Sequence, residues 1–199
     1  MTLLSHGTTA FSGSLRWPDA VRGVAAGSVP VAASTDGFVG AALLLLVLGG
    51  CMAPVLLGAP AEFDVALCSV MLSAAWAALL DAYVTVPWLD LAVHGVLTGL
   101  LAATVGLTVV HYGLLAPDLP APLRRTALGL LTFLAGLALA TVWELGEWWG
   151  HEVVDARIQV GYRDTMSDLA LGALGAAVAG VVVAARLRSP LTHPNGSDL

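Results

Sequence analysis

Glu144, Glu147, His151, Asp164 and Asp168 gather two acid pairs and an imidazole into one short stretch, ELGEWWGHEVVDARIQVGYRDTMSD. On a helix, Glu144, Glu147 and His151 follow at i, i+3 and i+7 and point within roughly 60° of one another. Asp164 and Asp168 form an i, i+4 pair, and so do Asp90 and His94 upstream. Carboxylates this crowded cannot all stay ionised unless protons or a cation lie between them. A divalent metal resolves that repulsion, and oxygen donors with one or two imidazoles suit Mn, Fe, Zn or Mg better than thiolate-seeking ions. The expected metal ligands are Asp90, His94, Glu144, Glu147, Asp164 and Asp168. The expected catalytic residues are Glu147, His151 and Asp168, with His151 moving protons because imidazole titrates near neutral pH. By analogy, acids and histidine paired on bundle helices are the donor pattern of di-iron carboxylate proteins.

Each acid also has an ordinary reading. Asp164, in Asp-Thr-Met-Ser, and Asp90, after Pro87-Trp88, are both placed to cap a helix start. Acids within two turns of a span end can be solvated by headgroup-level water. Ser167 reads as a helix-start residue rather than a nucleophile, and Glu152 and Asp155 as solvated connection residues. Trp88, Trp143, Trp148 and Trp149 form an interfacial aromatic belt first and a substrate wall second.

The elements that must position these groups are set by composition. Of 199 residues, 58% are hydrophobic and 11% charged, with a mean hydropathy of +0.86. A soluble domain needs more polar surface than that, so the fold class is all-α, a polytopic transmembrane bundle. Five runs reach spanning length, about 20 residues for a hydrocarbon core of roughly 30 Å. They are 38–57, interrupted by Gly49-Gly50 and Pro54, then 65–84, 89–111, 126–148 and 165–185. Backbone groups in lipid must pair within the chain, which makes these runs helices, and the lack of period-two alternation excludes a barrel. Residues 1–36 carry no convincing signal peptide and read as a surface-lying or disordered segment, 37–188 as the bundle and 189–199 as a disordered tail.

Five antiparallel spans put the start of the third, the end of the fourth and the start of the fifth on one face. Asp90, His94, Glu144, Glu147, His151, Asp164 and Asp168 therefore share that face, while His111 lies about 25 Å away along the third span. Arg124, Arg125, Arg186 and Arg188 abut span ends on the far face. Arg16, Arg22, Arg157 and Arg163 are expected on the acidic face, where only Arg163 abuts a span. The arginines at span ends favour a cytoplasmic far face and an extracytoplasmic acidic cluster. Small-residue ladders, Gly172-Ala176-Gly180 on the fifth span and Gly95-Gly99-Ala103 on the third, let helices approach closely. Cys51 and Cys68 lie in apolar runs without ligand spacing and read as buried free thiols. Asn195-Gly196-Ser197 matches a glycosylation sequon by chance. The net charge of −6, without a basic block, excludes a nucleic-acid partner.

At these residues the chain resembles the YjdF-like family of bacterial inner-membrane proteins and, more distantly, VanZ-like proteins. The matching pieces are Asp90-x3-His94, Trp143-Glu144-x2-Glu147, and Asp164-Thr165-x2-Asp168 followed by Gly172-x2-Gly175-Ala176, within roughly residues 65–185. Arg163 fills the place of an Arg before the last aspartates in the VanZ-like pattern, whereas Glu147 stands where that pattern tends to have Gln. The resemblance implies a multi-pass bacterial inner-membrane protein; the VanZ-like likeness adds an association with glycopeptide sensitivity and no settled reaction.

Three functions fit these residues. The first is a metal-capable acidic site at one membrane face acting on an envelope lipid or lipid-linked glycan. The second is a proton- or cation-linked transporter, against which stand the lack of an internal repeat and of a mid-membrane acid. The third is a structural or accessory subunit whose acids stiffen the bundle.

Overall fold

The structure is a computed structural model that describes residues 17–158 and 160–187. Among these residues there is no strand, and five helices are long and apolar enough to cross a membrane. In chain order the elements are α1 (Trp17–Gly50), α2 (Ala53–Leu56), α3 (Ala61–Leu79), α4 (Ala82–Thr85), α5 (Pro87–His111), α6 (Ala121–Val153) and α7 (Tyr162–Arg186). The fold class expected from composition holds. The 189–199 tail and residues 1–16 lie outside the described residues.

The main departure is at the N-terminal side. Residues 17–36, expected at the surface or disordered, are the first half of α1. A straight 34-residue helix would be about 50 Å long. Yet Arg22 Nε donates a 2.9 Å hydrogen bond to the Cys51 carbonyl, 29 residues on. The helix therefore doubles back, and it does so at Gly37, whose φ of 64° and ψ of −141° lie outside the helical region. Few residues but glycine take that conformation without strain. Both halves then pack on α3: Trp76 Nε1 donates to Ser28 Oγ at 3.1 Å, and Ala32, Leu44, Val47, Cys51, Cys68 and Ala75 form one buried cluster. The hydropathy of 17–36 is diluted by glycine, serine and threonine, but besides Pro18 the buried side chains there, Ala25, Ser28 and Ala32, are small ones that let helices approach closely.

This hairpin corrects the placement of Arg22. It sits beside Asp64, at the start of α3, while the end of α3 runs toward the acids of α5. Arg22 therefore lies at the end of the bundle opposite the acidic cluster. At that far end it pairs with Asp19 at 2.9 Å and with Asp64, which is 1% exposed. The hairpin tip near Asp36 lies at the acidic end, within electrostatic reach of Arg157.

The other half of the molecule is α5, α6 and α7, arranged as the inverse of soluble helices. On α7, Leu174, Val178 and Val181 are exposed while Gly172, Ala176 and Gly180 are buried. With lipid outside, burial of large apolar groups gains little, so close backbone packing through small residues holds the helices. The ladder residues are used as expected, but Gly175, absent from either ladder, makes the tightest fit. A Cβ there would collide with the Gly95 carbonyl, and one on Gly99 would lie 3.0 Å from the Gly175 carbonyl. On the other flank, a Cβ on Gly129 would lie 3.2 Å from the Gly180 carbonyl. Helix ends follow from the chain: Pro87 and Pro122 sit in first turns, where a missing N–H costs nothing.

Candidate metal centre

The α5–α7 contact at Gly95, Gly99 and Gly175 determines what faces what one to two turns nearer the membrane surface. Asp90 and His94 on α5 meet Asp168 on α7, and Glu144 and Glu147 on α6 close the third side. Two triads result: Asp90, His94 and Asp168, and His94, Glu144 and Glu147. In each, one donor atom per residue lies within 4.8 Å of the others. His94 belongs to both. Its Nε2 is 3.5 Å from Asp90 Oδ1, and its Nδ1 is 3.5 Å from Glu144 Oε1. These spacings exceed an N–H···O hydrogen bond of 2.7–3.2 Å.

Burial makes the triads costly as they stand. Glu144 is 7% exposed and Asp168 2%. Glu144 Oε1 and Asp168 Oδ1 are buried with no hydrogen-bond partner. A buried carboxylate oxygen without a partner forfeits its hydration for nothing, a penalty of about 1–3 kcal/mol or more for a charged group. One residue carrying such an atom belongs to each triad. The donor chemistry, carboxylate oxygen with imidazole nitrogen, fits Mn, Fe, Zn or Mg.

The remaining predicted residues fall around this centre. Asp164 lies in the first turn of α7, within electrostatic reach of Asp90 and His94, but outside both triads. It does not cap the helix: Gly161 holds that position, and no side chain bonds there. Asp90 is likewise no cap, since Val86 precedes α5. His151 is not brought into either triad. Its Nδ1 donates a 2.6 Å hydrogen bond to the Ile158 carbonyl and so pegs the connection between α6 and α7. Ser167 Oγ donates to the carbonyls of Arg163 and Asp164 at 3.0 and 2.9 Å, the back-bonding of a helix start. Asp155 is bound by Arg157 at 2.7 Å, and that guanidinium pushes its carboxyl down to about 2.

Tyr83, on α4, was not apparent from spacing. Its hydroxyl donates to the Ala74 carbonyl at 3.0 Å. Burial, with the nearby Asp90 and Glu147 charges, pushes its phenol up to about 12. A lone tyrosine between two spans gives no periodic signal; only the turn that returns α3 to α5 brings it beside the acids. On the face of α5 turned away from His94, a groove of about 280 Å³ between α3 and α5 is lined by Ser69, Val70, Ser73, Ala92, Val93 and Val96.

Comparison with known proteins supplies a family and no activity. A family described as "Predicted membrane protein (DUF2238)" matches residues 27–189. That range covers most of the chain, so the chain belongs to this family, which is the YjdF-like family of the motif resemblance. The more distant VanZ-like resemblance is not shown. No curated protein and no solved structure matches the chain.

Proposed function

We propose that this DUF2238 member is a multi-pass protein of the bacterial inner membrane whose acidic site holds a divalent cation and acts on an envelope lipid or lipid-linked glycan. One observation carries the cation: Glu144 Oε1 and Asp168 Oδ1 are buried without partners beside an imidazole whose two nitrogens face carboxylates. Asp90, His94, Glu144, Glu147 and Asp168 would hold the ion, with Asp164 adding negative charge at the rim. A cation there supplies Lewis acidity, activating water or polarising a phosphoryl or carbonyl oxygen.

The chain's own residues do the rest. Glu147, half-buried where Glu144 is buried, is the carboxylate placed to take a proton from water or a substrate hydroxyl. Asp168 fixes the α7 side of the centre, and His151 holds the α6–α7 connection over it. A lipid substrate is supported by the position of the site among membrane-spanning helices. An extracytoplasmic site is supported by the arginines. Arg22, Arg124, Arg125 and Arg186 lie at the end away from the acids, against Arg157 and Arg163 at the acidic end.

Elemental mass spectrometry on detergent-purified protein, wild type beside Asp168→Asn, tests the reading. Stoichiometric divalent metal in the wild type and a lower content in the variant are expected. Absence of metal from the wild type after exposure to Mn, Zn and Mg would overturn it.

A further inference from the structure

We infer that the site holds two divalent cations, one on each ring nitrogen of His94. This rests on the cation reading above and extends it to a number and an arrangement. The triads are disjoint apart from His94: Asp90 and Asp168 lie in one, Glu144 and Glu147 in the other. The two imidazole nitrogens point away from each other, Nε2 toward Asp90 and Nδ1 toward Glu144, both at 3.5 Å. An ion on one nitrogen therefore cannot draw on the donors that face the other.

The separation fits an ion between each pair of donors. A cation about 2.0–2.1 Å from both a nitrogen and an oxygen 3.5 Å apart would see them at about 115°, close to a tetrahedral angle. The two residues with a partnerless oxygen divide the same way: Asp168 belongs to the first triad and Glu144 to the second. A single ion satisfies one and strands the other. Charge points the same way. Four carboxylates in the triads with one divalent ion and a neutral imidazole retain two negative charges. Two divalent ions with the ring as imidazolate retain one. The step balances simply: two ions bind, and the ring's one N–H proton leaves to the buffer.

The experiment is a count. Metal-stripped full-length protein in detergent is loaded with zinc alone, freed of excess by gel filtration, and its zinc per chain measured by elemental mass spectrometry. Two zinc ions per wild-type chain are expected, with one in Asp168→Asn and one in Glu144→Gln, since each variant spares the opposite triad. One ion per wild-type chain overturns the inference while leaving the single-cation reading intact. So does the loss of all zinc in both variants, provided each elutes from gel filtration and melts as the wild type does. No zinc in the wild type overturns the cation reading together with the inference. The wild-type count decides between one ion and two even if a variant fails to fold.

Discussion

Arg22 on α1 pairs with Asp64 on α3, 42 residues away, and both side chains are largely out of solvent, at 11% and 1% exposure. The same guanidinium holds Asp19 and the Cys51 carbonyl, so one residue ties both halves of the α1 hairpin to α3. Removing one partner of such a pair strands a buried charge at a cost of about 3–5 kcal/mol, while replacing both by apolar groups of similar volume is often close to neutral. Arg22→Ala should accordingly melt well below the wild type in detergent, and Arg22→Met with Asp64→Leu should recover most of the loss. A thermal unfolding series on the three proteins checks this, and equal melting of single and double variants would count against it.

The Gly175 contact makes a second, local prediction. Gly175→Ala pushes a methyl group into the Gly95 carbonyl and must part α5 from α7. Overpacking of this kind costs about 1–3 kcal/mol, and it also separates His94 from Asp168, so metal content and stability should fall together. Gly146→Ala, on α6 with nothing within 4 Å of the new Cβ, should do neither.

Neutralising the centre should act oppositely with and without metal. In EDTA, Asp168→Asn removes a buried charge from a crowded set of carboxylates and should raise the melting temperature. With metal present the order reverses, because the wild type gains the binding free energy of an ion at the Asp90, His94 and Asp168 triad that the variant lacks, about 2.7 kcal/mol at a hundred times the dissociation constant. Melting curves of both proteins in EDTA and in zinc would show the crossing; parallel shifts in both proteins would remove the site from consideration.

Tyr83 supplies the pH test. Its phenol is pushed up to about 12 by burial first and by Asp90 and Glu147 next. For an acid whose folded value is raised, the neutral form is the one favoured. Its contribution to stability is complete below the ordinary tyrosine value of about 10 and fades as pH rises toward 12. A 295 nm titration of wild type minus Tyr83→Phe should therefore show this tyrosine ionising near pH 12, and an ionisation near 10 would contradict its burial beside the acids.

Sidedness can be measured with the native cysteines left in place, since Cys51 and Cys68 are fully buried. A cysteine at exposed Ala156, in the α6–α7 connection, should react in intact cells with a membrane-impermeant maleimide. One at Pro117, between α5 and α6, should react only after permeabilisation.

Most of the acidic centre was legible because helical spacing and the alternation of spans are simple geometry. Asp90, His94, Glu144, Glu147 and Asp168 converge as the i, i+3 and i, i+4 offsets and the order of α5, α6 and α7 require. What spacing does not convey is how far a residue sits along or around its helix end. His151 and Asp164 share the face and register of the ligands, yet one turns to the Ile158 carbonyl and the other lies in the first turn of α7, outside both triads. Gly175, named in the family motif, stood outside the packing ladders because a ladder of fours passes through Gly172 and Ala176, whereas the α5 contact uses the neighbouring row. The hairpin in α1 was hidden because one positive-φ glycine in a helical run leaves no break in hydropathy.

The turn at Gly37 also changes the parity of the chain. A bundle of five singly crossing helices would leave Trp17 and Leu187 in opposite compartments. Were both arms of α1 to traverse the membrane, the number of traverses would become even, and both ends of the described chain would emerge on the side of Arg22, Arg124 and Arg186. A reporter fused after Leu187 and one placed before Trp17 would then report the same compartment, the one that the acidic centre faces away from.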